Sequence, residues 1–151
     1  MSEGPSAAGV DLRRVRCFRL VAESPTGVVE LEHVASLRFG SGDGHRGVLR
    51  GHEPSCAVLR KGVVRIIQRV DGKLEELFLA TEGGLAWIER AEVRLVTRWA
   101  TGPADLPELR RRLEAHVLEL KQAEEDARTV VARHEVATQR ALARLRREVD
   151  R

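Results

Sequence analysis

The chain has 151 residues, 42% hydrophobic and 32% charged, enough apolar chain for one domain, or a small domain plus an appendage, and too much for disorder. Its net charge of +3 is evenly spread, with 15 basic against 13 acidic residues up to Pro103 and 11 against 10 beyond. Neither part is a basic block, and with no Tyr, three Phe and two Trp there is little to stack on bases, so nucleic acid is not an expected partner.

Residues Met1 to Gly9 lack the basic start and apolar stretch of a signal peptide, so secretion is not expected. The small, polar stretch over 1–14 reads as a disordered tail. From Val15 the pattern is of short apolar segments, beginning at Val15, Val28, Val34, Val48, Ala57, Val63, Leu74, Leu85 and Val93. Turn signals separate most of them: Ser24 to Gly27, Gly40 to Gly47, Lys61-Gly62, Asp71-Gly72 and Gly83-Gly84. Ala35, Leu37 and Phe39 alternate with Ser36 and Arg38, the mark of a strand with one buried face. Asp71-Gly72 between two such runs predicts a two-residue hairpin. Many short strands at this spacing predict an antiparallel β-sandwich or barrel over 15–103.

Beyond Gly102-Pro103 the pattern changes. From Leu106 to Arg151 there is no Gly, and the only Pro is Pro107, at a helix's first turn where the ring is tolerated. Asp105 is the expected N-cap, with Glu108 as its capping-box partner. Leu106, Leu109, Leu113, Val117, Leu120, Ala127, Val131, Leu142, Leu145 and Val149 fall on one side at helical spacing. The stripe weakens around Gln122 to Arg128, so residues 104–151 are read as either a helical hairpin or one long helix. The fold class is segregated α+β, a sandwich followed by helix. No apolar run reaches the roughly 20 residues that span a bilayer.

Few constellations point to chemistry. Cys17 and Cys56 are too few for a disulfide framework and suit a reducing compartment. His45, His52 and Cys56 lie close in sequence, but no paired-ligand spacing surrounds them, so no metal is expected. Ser41, His45 and Asp43 offer nucleophile, base and orienter types without the strand–turn–helix setting of an activated serine. The glycine cluster Gly40 to Gly47 leads into strand-like Val48-Leu49, not into a helix that would face a phosphate, so no nucleotide cradle is expected. Four glycines in that stretch imply a loop with several positive-φ positions that another protein can approach closely. Arg133, Arg140, Arg144, Arg147 and Arg151 share one face of the last helix, opposite Leu142, Leu145 and Val149. That face is either merely solvated or an electrostatic arm that docks on an acidic surface.

Taken in order, the β part has Ser24-Pro25-Thr26-Gly27-Val28-Val29, then Val34 to Phe39 and Gly40-Ser41-Gly42-Asp43-Gly44. Gly47-Val48-Leu49, Gly51-His52, Pro54, Lys61 to Ile66, Asp71-Gly72-Lys73, Glu82 to Leu85 and Glu92 to Val96 follow. This set, with its helical tail, resembles the epsilon subunit of F-type rotary ATP synthases. Asp105 to Arg110 and Ala127 to Arg133 are more similar to the alternate, sodium-transporting group. The resemblance implies a ten-stranded sandwich and two C-terminal helices in a non-catalytic rotor subunit. Its partners would be the gamma subunit and the c-ring and, conditionally, the catalytic beta subunits. It would lie peripherally on the cytoplasmic face of a bacterial cell membrane. The helices would fold down or extend toward the catalytic head and inhibit ATP hydrolysis.

On that resemblance, Asp43, His45, Arg46 and His52 are the expected c-ring contacts, and Arg133, Arg140, Arg144 and Arg147 the expected contacts to the catalytic head. The family usually has an acidic residue at His45, an apolar one at Arg46, Pro at Arg50 and Ala at Glu53, so the ring contact is expected to be more basic here. Some members bind ATP through an Ile/Leu-Asp-x-x-Arg-Ala motif. The matching stretch, Leu106 to Arg111, has Pro107 in place of the Asp, so neither ATP nor another cofactor is expected. The alternative reading is a free-standing β-sandwich adaptor that dimerises or binds a partner through its helical arm.

Overall fold

The computed structural model describes residues 14–149. The tail expected over 1–14 therefore lies, except for Arg14, outside the described residues. The chain divides into two units, one ending at Arg112 and the other beginning at Leu113.

The first unit is a sandwich of nine strands: β1 (Phe18–Ser24), β2 (Gly27–Ser41), β3 (Gly44–Leu49), β4 (Ser55–Leu59), β5 (Gly62–Val70), β6 (Lys73–Thr81), β7 (Gly84–Ile88), β8 (Glu92–Thr97) and β9 (Ala100–Ala104). The resemblance implied ten. The hydrogen-bonded order is β4-β7-β8-β1-β2-β5-β6-β9, with β3 also on β2. All pairings are antiparallel except β1 with β8.

The segments expected to begin at Val28 and Val34 are one strand, the 15-residue β2. Its first half pairs β1, and its second half pairs β3 and β5. It passes from one layer to the other at His33, a non-glycine at φ 57, followed by a register shift between Val34 and Ser36. A bulge of this kind bends a strand. The sequence signal for a break was real, but it marks a bend inside one strand.

Alternation decides which side chains meet between the layers. Leu20, Val34, Leu37, Phe39, Val64, Ile66, Leu79, Ile88, Val93 and Leu95 are fully buried in one cluster, each stabilising by about 1.5–3 kcal/mol. The Asp71-Gly72 hairpin forms as expected: Val70 pairs Lys73, and the two turn residues sit at φ 49 and 75, which suits a type I′ turn. The glycine stretch is not the expected loop. Gly40 and Ser41 end β2, Gly44 to Gly47 begin β3, and only Gly44, at φ 130, has a positive φ among the four glycines. Strand pairing holds Gly40 and Gly47 in the β2–β3 ladder, while Gly42 is in the two-residue turn between the strands.

The helix, α1, runs unbroken from Leu106 to Val149, 44 residues, or about 66 Å at 1.5 Å per residue. Of the two expected forms, hairpin or long helix, the structure takes the second, because no Gly or Pro interrupts the ladder. Asp105 caps it, Oδ1 accepting from Glu108 N–H at 2.9 Å. The capping box is only half made. The Glu108 carboxylate accepts forward, from Arg112 Nε at 2.9 Å and from Arg111, not back from Asp105. Arg112 also donates to Thr101 on β9 at 3.2 Å, and Leu109 is fully buried. The first turns of the helix thus belong to the sandwich unit.

Candidate functional site

The outer face of β4, β7 and β8 is apolar where a solvated sheet would be polar. Inward positions are Ala57 and Leu59, Ala86 and Ile88, Val93 and Leu95. The residues between them point out, and their registers align them in rows. Val58 pairs Leu85, which pairs Val96; Cys56 pairs Trp87, which pairs Arg94. Val58 is 55% exposed, Leu85 49%, Trp87 50% and Val96 47%. A contiguous cluster of this sort, unlike scattered surface apolar residues, marks an interaction surface, and a half-exposed Trp is the side chain most often found at an interface's energetic centre.

Ion pairs border this face. Arg94 bonds Glu23 and Glu92, both at 2.9 Å. Arg19 bonds Glu30 at 2.7 Å and Glu32 at 3.1 Å, with Glu92 at 3.7 Å. The hydrogen bond to Glu30 and the neighbouring carboxylates hold the Arg19 guanidinium above its ordinary pKa, and those of Glu92 and Glu23 do the same for Arg94. Sequence reading missed the apolar face. Its signal is there in Leu85-Ala86-Trp87-Ile88 and Ala57-Val58-Leu59, runs that are apolar on both faces, but such runs are also read as fully buried strands.

The four residues expected at the ring contact do not form one cluster. Asp43 is at the tip of the β2–β3 turn and His45 opposes Gly40, both exposed. Arg46 opposes Phe39, on the inward side, and its guanidinium donates to Ser55 Oγ on β4 at 2.8 Å. It fastens the open edge between β3 and β4. His52 is beyond the far end of β3, half-buried, its N–H on Leu49 O at 3.2 Å. At about 3.4 Å per residue the β3 strand keeps it roughly 20 Å from the tip.

Arg133, Arg140, Arg144 and Arg147 are exposed in the second unit and without a hydrogen-bond or ion-pair partner among the described residues. At about 100° per residue they fall within roughly 60° of arc, opposite Leu142, Leu145 and Val149, which are 55%, 57% and 83% exposed. Arg151 lies outside the described residues. The helix is also charge-polarised: 106–126 carries four basic and six acidic residues, 127–149 six and two. Among the described residues no three His, Cys, Asp or Glu side chains converge as metal ligands would, and no helix is long and apolar enough to cross a membrane.

Residues 18–103, the whole sandwich but its last residue, match the family described as ATP synthase, Delta/Epsilon chain, beta-sandwich domain. The chain belongs to this family. It is of the epsilon type and is not itself a catalytic subunit. Among solved structures it is similar to a chain of the Euglena gracilis mitochondrial ATP synthase (OSCP/F1/c-ring), with 23% identity, a TM-score of 0.50, and 76% of this chain and 72% of that one covered. A chain of the Tetrahymena thermophila mitochondrial ATP synthase central stalk and c-ring matches at 10% identity and a TM-score of 0.46, over 57% of this chain and 66% of that one. The chain thus spans just under two thirds of that Tetrahymena relative. Among the described residues, what this delta/epsilon-type chain presents is the exposed apolar face of β4, β7 and β8.

Proposed function

We propose that this delta/epsilon-type chain is a central-stalk subunit of a rotary ATP synthase, coupling ion translocation through a c-ring to ATP synthesis or hydrolysis. The observation that carries this reading is the apolar outer face of β4, β7 and β8 on a sandwich of this family. That face suits the gamma subunit, because a rotor element needs a permanent, water-excluding interface. The β2–β3 hairpin, projecting as an exposed polar turn, suits the ring. The similar Euglena chain comes from an assembly named for its F1 and c-ring parts. The rotor would lie peripherally, held at the cytoplasmic face of a bacterial cell membrane through the ring.

The second unit supplies conditional inhibition in this reading. A long helix whose apolar stripe is uncovered and whose far half is basic can extend along gamma and set Arg133, Arg140, Arg144 and Arg147 against carboxylates of the catalytic beta subunits. The ion is proton or sodium, the latter following the likeness to the alternate group. Co-expression with gamma from the same operon tests the whole: a stable, stoichiometric gamma complex is expected. A chain that forms only a homodimer through its helix would instead establish the adaptor reading.

A further inference from the structure

From Leu113 to Val149 the helix carries a straight apolar stripe. These two residues are about ten turns apart at 3.6 residues per turn, and the positions that join them fall within roughly 80° of arc. Leu113 and Val117 are half-buried, whereas Leu120, Val131, Leu142, Leu145 and Val149 are exposed. A long helix is stabilised mainly by the packing of such a face, so a stripe of this length calls for a cover.

The stripe reads the same in both directions. Outward from Val131 its members come at steps of four, three, four, three and four residues on either side. Reversal puts Leu120 in the place of Leu142, Val117 in that of Leu145, and Leu113 in that of Val149. The polar interruptions exchange as well: Glu124 takes the place of Thr138, and Glu135 that of the small Ala127. Glu124 is paired within its own helix to Arg128 at 3.5 Å. Charge changes sign between the halves. Residues 113–126 carry five acidic and one basic residue, and 127–149 two acidic and six basic.

We propose that this face binds a second copy of the chain, the two helices antiparallel with Val131 on the partner's Val131 at the two-fold axis. Leucine and valine layers then meet leucine and valine layers, and each acidic half lies along the partner's basic half. A parallel pair would instead set Glu124 on Glu124 and Glu135 on Glu135 in the seam, and like-charged halves together. A two-fold contact of this kind is self-complementary and closes with two copies. Exposed Glu114 and Arg146 lie on the same flank of the stripe, so each Glu114 faces the partner's Arg146. The pairing does not rest on the stalk reading, whose gamma contact is on the sandwich. An arm extended along gamma would use the same stripe, so the pair is a state of the chain free of gamma.

The full chain, purified without gamma, should have twice the chain mass by light scattering at tens of micromolar. Val131→Glu sets two carboxylates across the axis while keeping a good helix former. It should weaken the dimer at least tenfold and leave unchanged the unfolding midpoint of the sandwich, followed by the fluorescence of Trp87 and Trp99. Glu114→Arg and Arg146→Glu should each weaken pairing several-fold, and both together in one chain should restore it. The two positions are about 48 Å apart along one helix, so only an antiparallel partner brings them together. A monomer at these concentrations, or a dimer that Val131→Glu leaves intact, overturns the inference, as does a charge exchange that fails to restore pairing. The gamma complex is scored separately. A monomer that forms it removes the dimer and keeps the stalk reading, and a dimer that does not form it does the reverse.

Discussion

The hydroxyls of Thr81 and Thr97 lie 2.7 Å apart, with both side chains buried inside the sandwich. Thr97 Oγ1 is 2.7 Å from Gly83 O, and Gly83 N–H donates to Thr81 Oγ1 at 3.1 Å. The pair satisfies the backbone of the β6–β7 connection where no strand can. Thr97→Val removes the hydroxyl and leaves Gly83 O and the Thr81 hydroxyl without it. A loss of about 1–3 kcal/mol in urea unfolding is expected. Thr81→Val combined with Thr97→Val should cost less than the two singles together, since each removes the other's partner.

Gly84 should tolerate no side chain. An added Cβ would come within 2.0 Å of Val96 O, across the β7–β8 pairing, with φ at 151°. Gly84→Ala is expected to destabilise by about 4 kcal/mol or more, which lies in the exceptional range for a single substitution, or to prevent soluble expression. Gly42→Ala, where nothing stands within 4 Å, is the control and should change the unfolding midpoint little.

Trp87→Asp should separate stability from assembly. The side chain is half exposed in the free chain, so thermal unfolding should shift by only a few degrees, while affinity for gamma falls by about 2 kcal/mol or more. Pull-down with gamma and calorimetry of the isolated chain give the two readings. Retained gamma binding would move the interface off this face.

The helical unit can be removed cleanly only after Arg112. A truncation at Leu113 keeps buried Leu109 and the Arg112–Thr101 bond and should leave the sandwich's midpoint near wild type. Leu109→Ala should cost about 2–5 kcal/mol. In the assembled enzyme, the Leu113 truncation and the combined Arg133→Glu, Arg140→Glu, Arg144→Glu and Arg147→Glu variant should both raise ATP hydrolysis if the arm inhibits. Millimolar ATP should give no thermal shift, because Pro107 stands at the carboxylate position of the family's ATP motif.

The ion pairs around Arg19 and Arg94 should respond to salt and not to moderate pH. Their guanidinium values are raised, so what they contribute is complete below the unfolded value. It is lost only as pH rises through the raised folded value, in strong alkali. Unfolding midpoints should show no step from them between neutral and mildly alkaline pH, and a small decrease with added salt.

The strand pattern was legible because alternation and turn chemistry are local. Asp71-Gly72 and the Leu37/Phe39 alternation stand as expected, and so does the change to helix at Asp105. What was not legible depended on register. Nothing in the composition of Gly40 to Gly47 distinguishes a loop from two paired strands, and Val28 to Phe39 reads as two strands until the bend at His33 is seen. The short β9, Ala100 to Ala104, carries Gly102 and Pro103 and so looks like a linker. As an edge strand it can hold both. Of the sites, the helix arginines share the expected face, because helical spacing alone decides that. The hairpin group scattered, because alternation turned Arg46 inward and put His52 past the strand's end.

The 15-residue β2 belongs to both layers of the sandwich. Sliding one layer over the other would therefore pull on covalent backbone through His33 and not merely shear side-chain contacts. Under the proposed stalk function, that continuity would stiffen the sandwich against a load applied to one layer and resisted at the other.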